Sequence, residues 1–386
     1  MSIHVRKYTQ SSWFRYALPV LLIGMAGLLF LSWNNRKPIR VGFVAQMTGK
    51  QAELGVQERN GVLLATEKIN AAGGIAGRKI ELVIRDDFGL PEKAKSADEE
   101  LIKSDVVAII GHATSGQTLA GLQISNPARV VMLAPTVSTP ALSGLDDYFF
   151  RVYPTFKDSA RAFAEHVYKT SGLKKMAIIY DTDNTAYAQT YSSTFSDRFS
   201  SLGGAISGQA GFSSATQPDF SPLLTTLHKD KPDGLLIIAS DIDTALVAQR
   251  VRIMGWNIPL FTSAWAQTET LINHGGKAVD GMKLEQSFAL SSQDPLFIEF
   301  KSNYQSRFGN TPSFGAAFGY EAAMVLAEAL KKTGGKPDKL KNALLETGNY
   351  KGLIDSFSID RFGDVQRPFY LSAIENGKFV IVGKLN

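Results

Sequence analysis

Short apolar runs alternate with segments of helical period along this chain, and they do so in two successive series. The run IRVGFVA (39–45) has strand length and exits into a Gly-bearing loop. Residues 54–74 place apolar side chains at helical spacing and stop at Gly73-Gly74, a helix-termination signal. KIELVIRDD (79–87) alternates as a half-buried strand does. Helix-like 91–103, strand-like 105–110, helix-like 115–126 and strand-like 129–134 follow. After 148–154 the rhythm restarts, with strands at 175–181, 234–240 and 258–263 and helices at 156–171, 186–202 and 241–254. Alternation of this kind with short connections requires parallel sheets covered by helices. Two series in 386 residues predict two α/β lobes of similar size, each a doubly wound parallel sheet. Residues 357–383 break the rhythm and read as strands, with hairpin turns at Phe362-Gly363 and Asn376-Gly377.

The N-terminus adds a segment of another kind. Residues 16–33, YALPVLLIGMAGLLFLSW, carry no charge and follow Arg6, Lys7 and Arg15. This is long for a signal-peptide core and near the lower limit of a spanning helix. Trp13, Tyr16 and Trp33 stand at its ends like interfacial aromatics, and no small-x-small cleavage site follows. The expectation is an uncleaved membrane anchor over 1–38, with a cleaved signal as the alternative. Both export the body. The net charge of +5 is misleading, because the first forty residues hold six basic side chains and no acid. The remainder balances 35 basic against 36 acidic groups, so no basic stripe is left for a nucleic acid.

Open parallel sheets bind ligands beyond the carboxyl ends of their strands. Candidate sites therefore sit at 46–55, 111–116, 135–140, 181–188, 239–243 and 263–267. Within AIIGHATSGQTLA (108–120) no lysine follows Gly116, which removes a P-loop, and no G-x-S-x-G surrounds Ser115, which removes a nucleophile elbow. His112 could serve Ser115 as a base only by folding back. What remains is Ser115 at the N-cap of a helix starting near Gly116, an anion site matched to a carboxylate. Ser115 capping its own helix and nothing more is the simpler alternative. Thr136 and Ser138, flanking Val137, repeat the arrangement at the next exit. The chain has no cysteine, its five histidines are dispersed, and DTDNTAY (181–187) lacks the Gly and Glu of a calcium loop. No metal and no cofactor is expected. Tyr153, Tyr187, Trp265, Phe314, Phe318 and Tyr320 could wall a pocket.

The segments at 69–87, 108–118, 131–142 and 312–330 together resemble type I periplasmic substrate-binding proteins, nearest the leucine/isoleucine/valine-binding type that feeds ABC importers. The resemblance covers about residues 39–383. It implies a Venus-flytrap architecture with three hinge crossovers near 150–154, 285–289 and 353–357. The N-lobe would comprise 39–152 plus 288–353, and the C-lobe 153–287 plus 354–386. It further implies that Ser115 and its amide hold a ligand carboxylate, that Thr136 and Val137 supply backbone groups, and that Ser138 completes the cradle. Tyr187 would reach in from the second lobe and Asp241 would face a ligand amine. The sequence departs from the pattern at Trp265, where the family's amino-acid binders place a carboxylate, and at Leu54, where an aromatic is usual. Asp241 or Asp181 would then supply the charge, or the ligand lacks an amine. The expected protein is non-enzymatic, periplasmic and membrane-tethered. It would capture an amino acid or related small carboxylate for an ABC importer, with a membrane-tethered ligand sensor as the alternative.

Overall fold

The computed structural model describes residues 37–216 and 219–385. The apolar run 16–33 and its expected spanning helix lie outside these; among the described residues no helix is long and apolar enough to cross a membrane.

The first series builds a five-stranded parallel sheet. Its strands are β1 (Ile39–Ala45), β2 (Ile80–Asp86), β3 (Ile109–Gly111), β4 (Met132–Ala134) and β5 (Phe149–Arg151), in the order β2-β1-β3-β4-β5. Helices α1 (Ala52–Ala71), α2 (Pro91–Lys103) and α3 (Ser115–Ser125) connect them. Helix α4 (Phe156–Glu165) leads into the second series, which alternates β6 (Lys175–Asp181), α5 (Thr185–Ser201), β7 (Ala205–Phe212) and α6 (Phe220–His228). It continues with β8 (Gly234–Ile238), α7 (Asp241–Ile253), β9 (Leu260–Thr262), α8 (Glu269–Gly275) and β10 (Lys283–Gln286). Beyond it come helices α9 (Pro295–Phe308), α10 (Phe314–Thr333) and α11 (Leu340–Glu346). A two-stranded pair, β11 (Tyr350–Lys351) and β12 (Ser356–Phe357), precedes β13 (Phe369–Glu375) and β14 (Lys378–Leu385). The second sheet has the order β14-β13-β10-β9-β8-β6-β7, with β13 antiparallel to both β10 and β14.

Strands with continuous apolar runs lie at the centres of these sheets, as burial on both faces requires. Every residue of β8 is buried. The Asn376-Gly377 turn joins β13 to β14 as the sequence suggests. The expected hairpin at Phe362-Gly363 is reduced to a single bridge between Ile359 and Val365.

Helix α10 returns to the first sheet and packs along α1. The approach is close because glycines face backbone. A Cβ on Gly61 would lie 1.9 Å from the Ala316 carbonyl oxygen, and one on Gly319 would lie 2.4 Å from that of Glu58. The start of the described chain is fixed to the same side, with the Lys37 and Pro38 carbonyls accepting from Arg78 Nε at 2.8 Å and Nη2 at 3.2 Å.

The segment before β13 also differs from expectation. Residues 354–367, assigned above to the C-lobe, are bonded to elements of the first sheet. The Arg151 amide donates to the Gly363 carbonyl at 3.0 Å, and Arg151 Nε donates to Asp364 at 2.8 Å. Arg367 forms a buried ion pair with Glu321 of α10 and another with Asp355, at 2.8 Å. A boundary at 354 would break these contacts, so the chain passes to the second sheet only as β13 begins.

Candidate functional site

The site forms where the carboxyl ends of the two sheets meet. Leu54, Ser115, Thr136, Ser138, Tyr187 and Trp265 line one cavity, together with Ala113, Thr114, Tyr153, Asn184, Ala264 and Phe314. Its volume of about 30 Å³ leaves room for one or two water molecules.

On the first-sheet side, the turn between β3 and α3 presents the helix N-terminus. The helix begins one residue earlier than expected, so Thr114 takes the N-cap position with extended backbone and Ser115 becomes the first helical residue. This moves Ser115 out of the capping role while leaving it against the cavity at 2% exposure. The next turn, after β4, is held from behind by Arg151. The guanidinium of this buried residue donates to the Thr139 carbonyl at 2.9 Å, the Val137 carbonyl at 3.5 Å and Ser143. Val137 is buried in the core and does not line the cavity. The Thr136 hydroxyl likewise points away, bonded to Glu58 and to the Ala113 carbonyl at 2.8 Å.

The wall from the second sheet is aromatic. Trp265, in the turn after β9, meets Tyr187 edge-on with centroids 5.6 Å apart. Tyr187 in turn meets Phe156 edge-on at 5.1 Å. Tyr153 packs on Phe314 at 6.1 Å and on Phe318 at 4.8 Å. Tyr320 lies elsewhere, in a separate groove with Met324 and Phe300.

Polar contacts between side chains or amides cross between the two sides. The Gly116 amide donates to Asn184 Oδ1 at 3.2 Å, Gln51 Nε2 donates to Asp181 at 2.7 Å, and Lys50 pairs with Asp243.

No acidic side chain lines the cavity. Asp241 opens α7 with its carboxylate accepting from Thr268 Oγ1 at 2.6 Å and the Ile242 amide at 2.8 Å. Burial pushes its pKa up, and these bonds oppose that. The expected amine partner therefore faces away from the cavity. Asp181, the other candidate, is taken by Gln51 and the Asp183 amide, and burial raises its pKa to about 6. Two buried carboxyls stand directly behind the lining: Glu58 of α1, against Thr136, and Glu285 of β10, which accepts from the Ala264 amide at 3.4 Å behind the aromatic wall. Burial pushes Glu285 up to about 7. His112, far from serving Ser115, is enclosed by Asp87 at 2.7 Å and Asp98 at 3.4 Å. Among the described residues no cluster of three or more acidic or histidine ligands could hold a metal.

A family model described as "Periplasmic binding protein" matches residues 38–378 of this chain. The chain belongs to the periplasmic binding protein family. This periplasmic binding protein is 23% identical over 352 residues to the Leu/Ile/Val-binding protein homolog 1 of Brucella suis biovar 1, covering 90% of this chain and 93% of that one. Its fold matches the leucine binding protein LivK of Thermotoga maritima with a TM-score of 0.83 and 26% identity, over 90% of this chain and 99% of that one. A solute binding protein of an ABC transporter from Rhodopseudomonas palustris BisB5, solved with 3,4-dihydroxybenzoic acid, matches at 0.81 and 25% identity, over 91% and 97%.

Two participants in the site of this binding protein were hidden in the sequence. Asn184 sits inside the segment that fails as a calcium loop, and only its place at a strand exit marked it. Glu285 lies in KLEQ, which has no strand pattern.

Proposed function

We propose that this periplasmic binding protein captures a small carboxylate with an apolar body and delivers it to an ABC importer without chemical turnover. The observation that carries this reading is a cavity that joins the N-terminus of α3 to an aromatic wall and contains no acidic side chain. Ser115 and the first-turn amides of α3 would hold one carboxylate oxygen through the helix dipole and its free N–H groups. Ser138 and the Thr136 backbone would hold the other. Trp265, Tyr187, Tyr153, Phe314 and Leu54 would enclose the body. The relative solved with an aromatic acid supports this assignment.

Capture requires opening. The body would divide into one lobe on each sheet, hinged near 150–154, near 285–289 and just before β13, and closure would rejoin Gly116 with Asn184 over the ligand. The apolar run 16–33 would carry the body across the cytoplasmic membrane and tether it there.

A second reading is an amino acid of the leucine or isoleucine type, as the names of the relatives indicate. Glu285, one layer behind Ala264, would then have to meet the ammonium. An unpaired buried ammonium costs several kcal/mol, so the two readings separate sharply. Isothermal titration of 4-methylpentanoate against leucine, its α-amino counterpart, decides between them. We expect the acid without the amine to bind at least tenfold more tightly. Tighter binding of leucine would establish the amino-acid reading, and binding of neither acid nor any aromatic carboxylate would end both.

A further inference from the structure

Behind the cavity, α1 carries a carboxyl group that the binding reading leaves unused. Glu58 is completely buried, and one of its oxygens meets the Thr136 hydroxyl. The same hydroxyl lies 2.8 Å from the carbonyl oxygen of Ala113. The second Glu58 oxygen is buried with no hydrogen-bond partner among the described residues.

A hydroxyl has one proton to give, and a carbonyl and a carboxylate can only accept. If Thr136 donates to Ala113, the short contact to Glu58 is satisfied only when Glu58 is the donor. If Thr136 donates to Glu58, the Ala113 carbonyl is left facing an oxygen lone pair. One arrangement satisfies all three groups: Glu58 donates to Thr136, and Thr136 donates to Ala113. It links α1 to both ligand-facing turns, since Ala113 precedes Ser115 in one and Thr136 stands in the other.

The surroundings agree. Asp87 at the end of β2 and His112 after β3 are the charged groups that bear on Glu58, acting in opposite senses. Asp98 of α2 faces His112 from its other side. Helix α10 meets this stretch of α1 at Gly319, and none of its charged side chains bears on the carboxyl. Burial, only partly offset by the Thr136 hydrogen bond, pushes the Glu58 pKa up to about 8.

We propose, resting on the carboxylate reading above, that Glu58 is a positioning residue whose proton locks the two ligand-holding turns together, so that tight binding of an anion requires Glu58 to be neutral. Loss of that proton breaks the relay and places a buried negative charge directly behind the site of a second one.

The test uses the full-length protein and 4-methylpentanoate, whose carboxyl does not titrate between pH 6 and 9. Its Kd should be flat from pH 6 to 7 and rise by up to about tenfold at pH 9, the limit for one linked proton. Glu58→Gln, which can still donate to Thr136, should flatten the profile, its Kd at pH 9 staying within about threefold of its own value at pH 7. Equal slopes in both proteins would overturn the proposal. If Glu58→Gln does not fold, a wild-type Kd unchanged from pH 7 to 9 overturns it alone. The infrared difference between wild type and Glu58→Gln should show a protonated carboxylic acid at pH 7 that fades above pH 8. An ionised carboxylate at pH 7 would refute the proposal even where 4-methylpentanoate fails to bind, an outcome that would count against the ligand reading only.

Discussion

His112 lies fully buried between the carboxylates of Asp87 and Asp98, with no exposure to solvent. Burial alone would lower its pKa, but Asp98 and Asp87 outweigh it and hold the imidazole up at about 10. A group whose pKa rises on folding contributes stability that is complete below its unfolded value and disappears as the pH climbs through the folded one. Stability should therefore fall between about pH 6.5 and pH 10. Glu58 and Glu285, also raised, add to the decline only up to about pH 8. Urea unfolding between pH 8 and 10 isolates His112, and the loss there should reach roughly a few kcal/mol. His112→Gln should remove that slope; an equal slope in the variant would show that other groups carry it. None of this was legible in the sequence. A histidine after a strand and two aspartates on other segments show no sign of meeting until the fold closes them together. Glu58 was hidden for the same reason, as a glutamate among polar neighbours on a helix.

Helix α3 has its N-terminus against the second-sheet side, with the Gly116 amide donating to Asn184 Oδ1. Replacing that oxygen by a carboxylate puts a permanent anion where the ligand's anion is expected. Asn184→Asp should raise the Kd for 4-methylpentanoate by at least about tenfold, or 1.4 kcal/mol. It should also raise the ligand-free melting temperature, since a negative charge at a helix N-terminus gives about 0.3–1 kcal/mol. An unchanged Kd would place the acid elsewhere. The elements differ in how far the sequence shows them. Strands β1, β6 and β8 are legible because both faces are buried and their composition is nearly all apolar. Strand β7, AISGQAGF, lies at a sheet edge and is mostly unburied, so it carries no apolar pattern. Strand β10 fails in the opposite way, holding the buried polar residues Glu285 and Gln286 beside the aromatic wall. Both strand exits singled out in the sequence, at 111–116 and 135–140, border the cavity. Val137, between Thr136 and Ser138, is buried in the core instead, and its carbonyl accepts from Arg151 of β5, a contact between residues fourteen apart that no local pattern shows.

The described body begins on one sheet and ends on the other. The chain enters the described body beside Arg78, on the first sheet, and leaves it along β14, at the far edge of the second. The segment up to Arg367 is bonded to the first-sheet side, so in the proposed hinge motion the third hinge would fall at Pro368, just before β13, with the two earlier crossings as the others. In that motion the two ends of the described body would belong to different moving parts. A donor dye at residue 38 and an acceptor at residue 385 should change their energy transfer when a saturating carboxylate is added. No change with a ligand that titrates calorimetrically would mean that the lobes do not rotate. Where the transfer does change, closure carries its own gauge, with residues 38 and 385 as its two pointers.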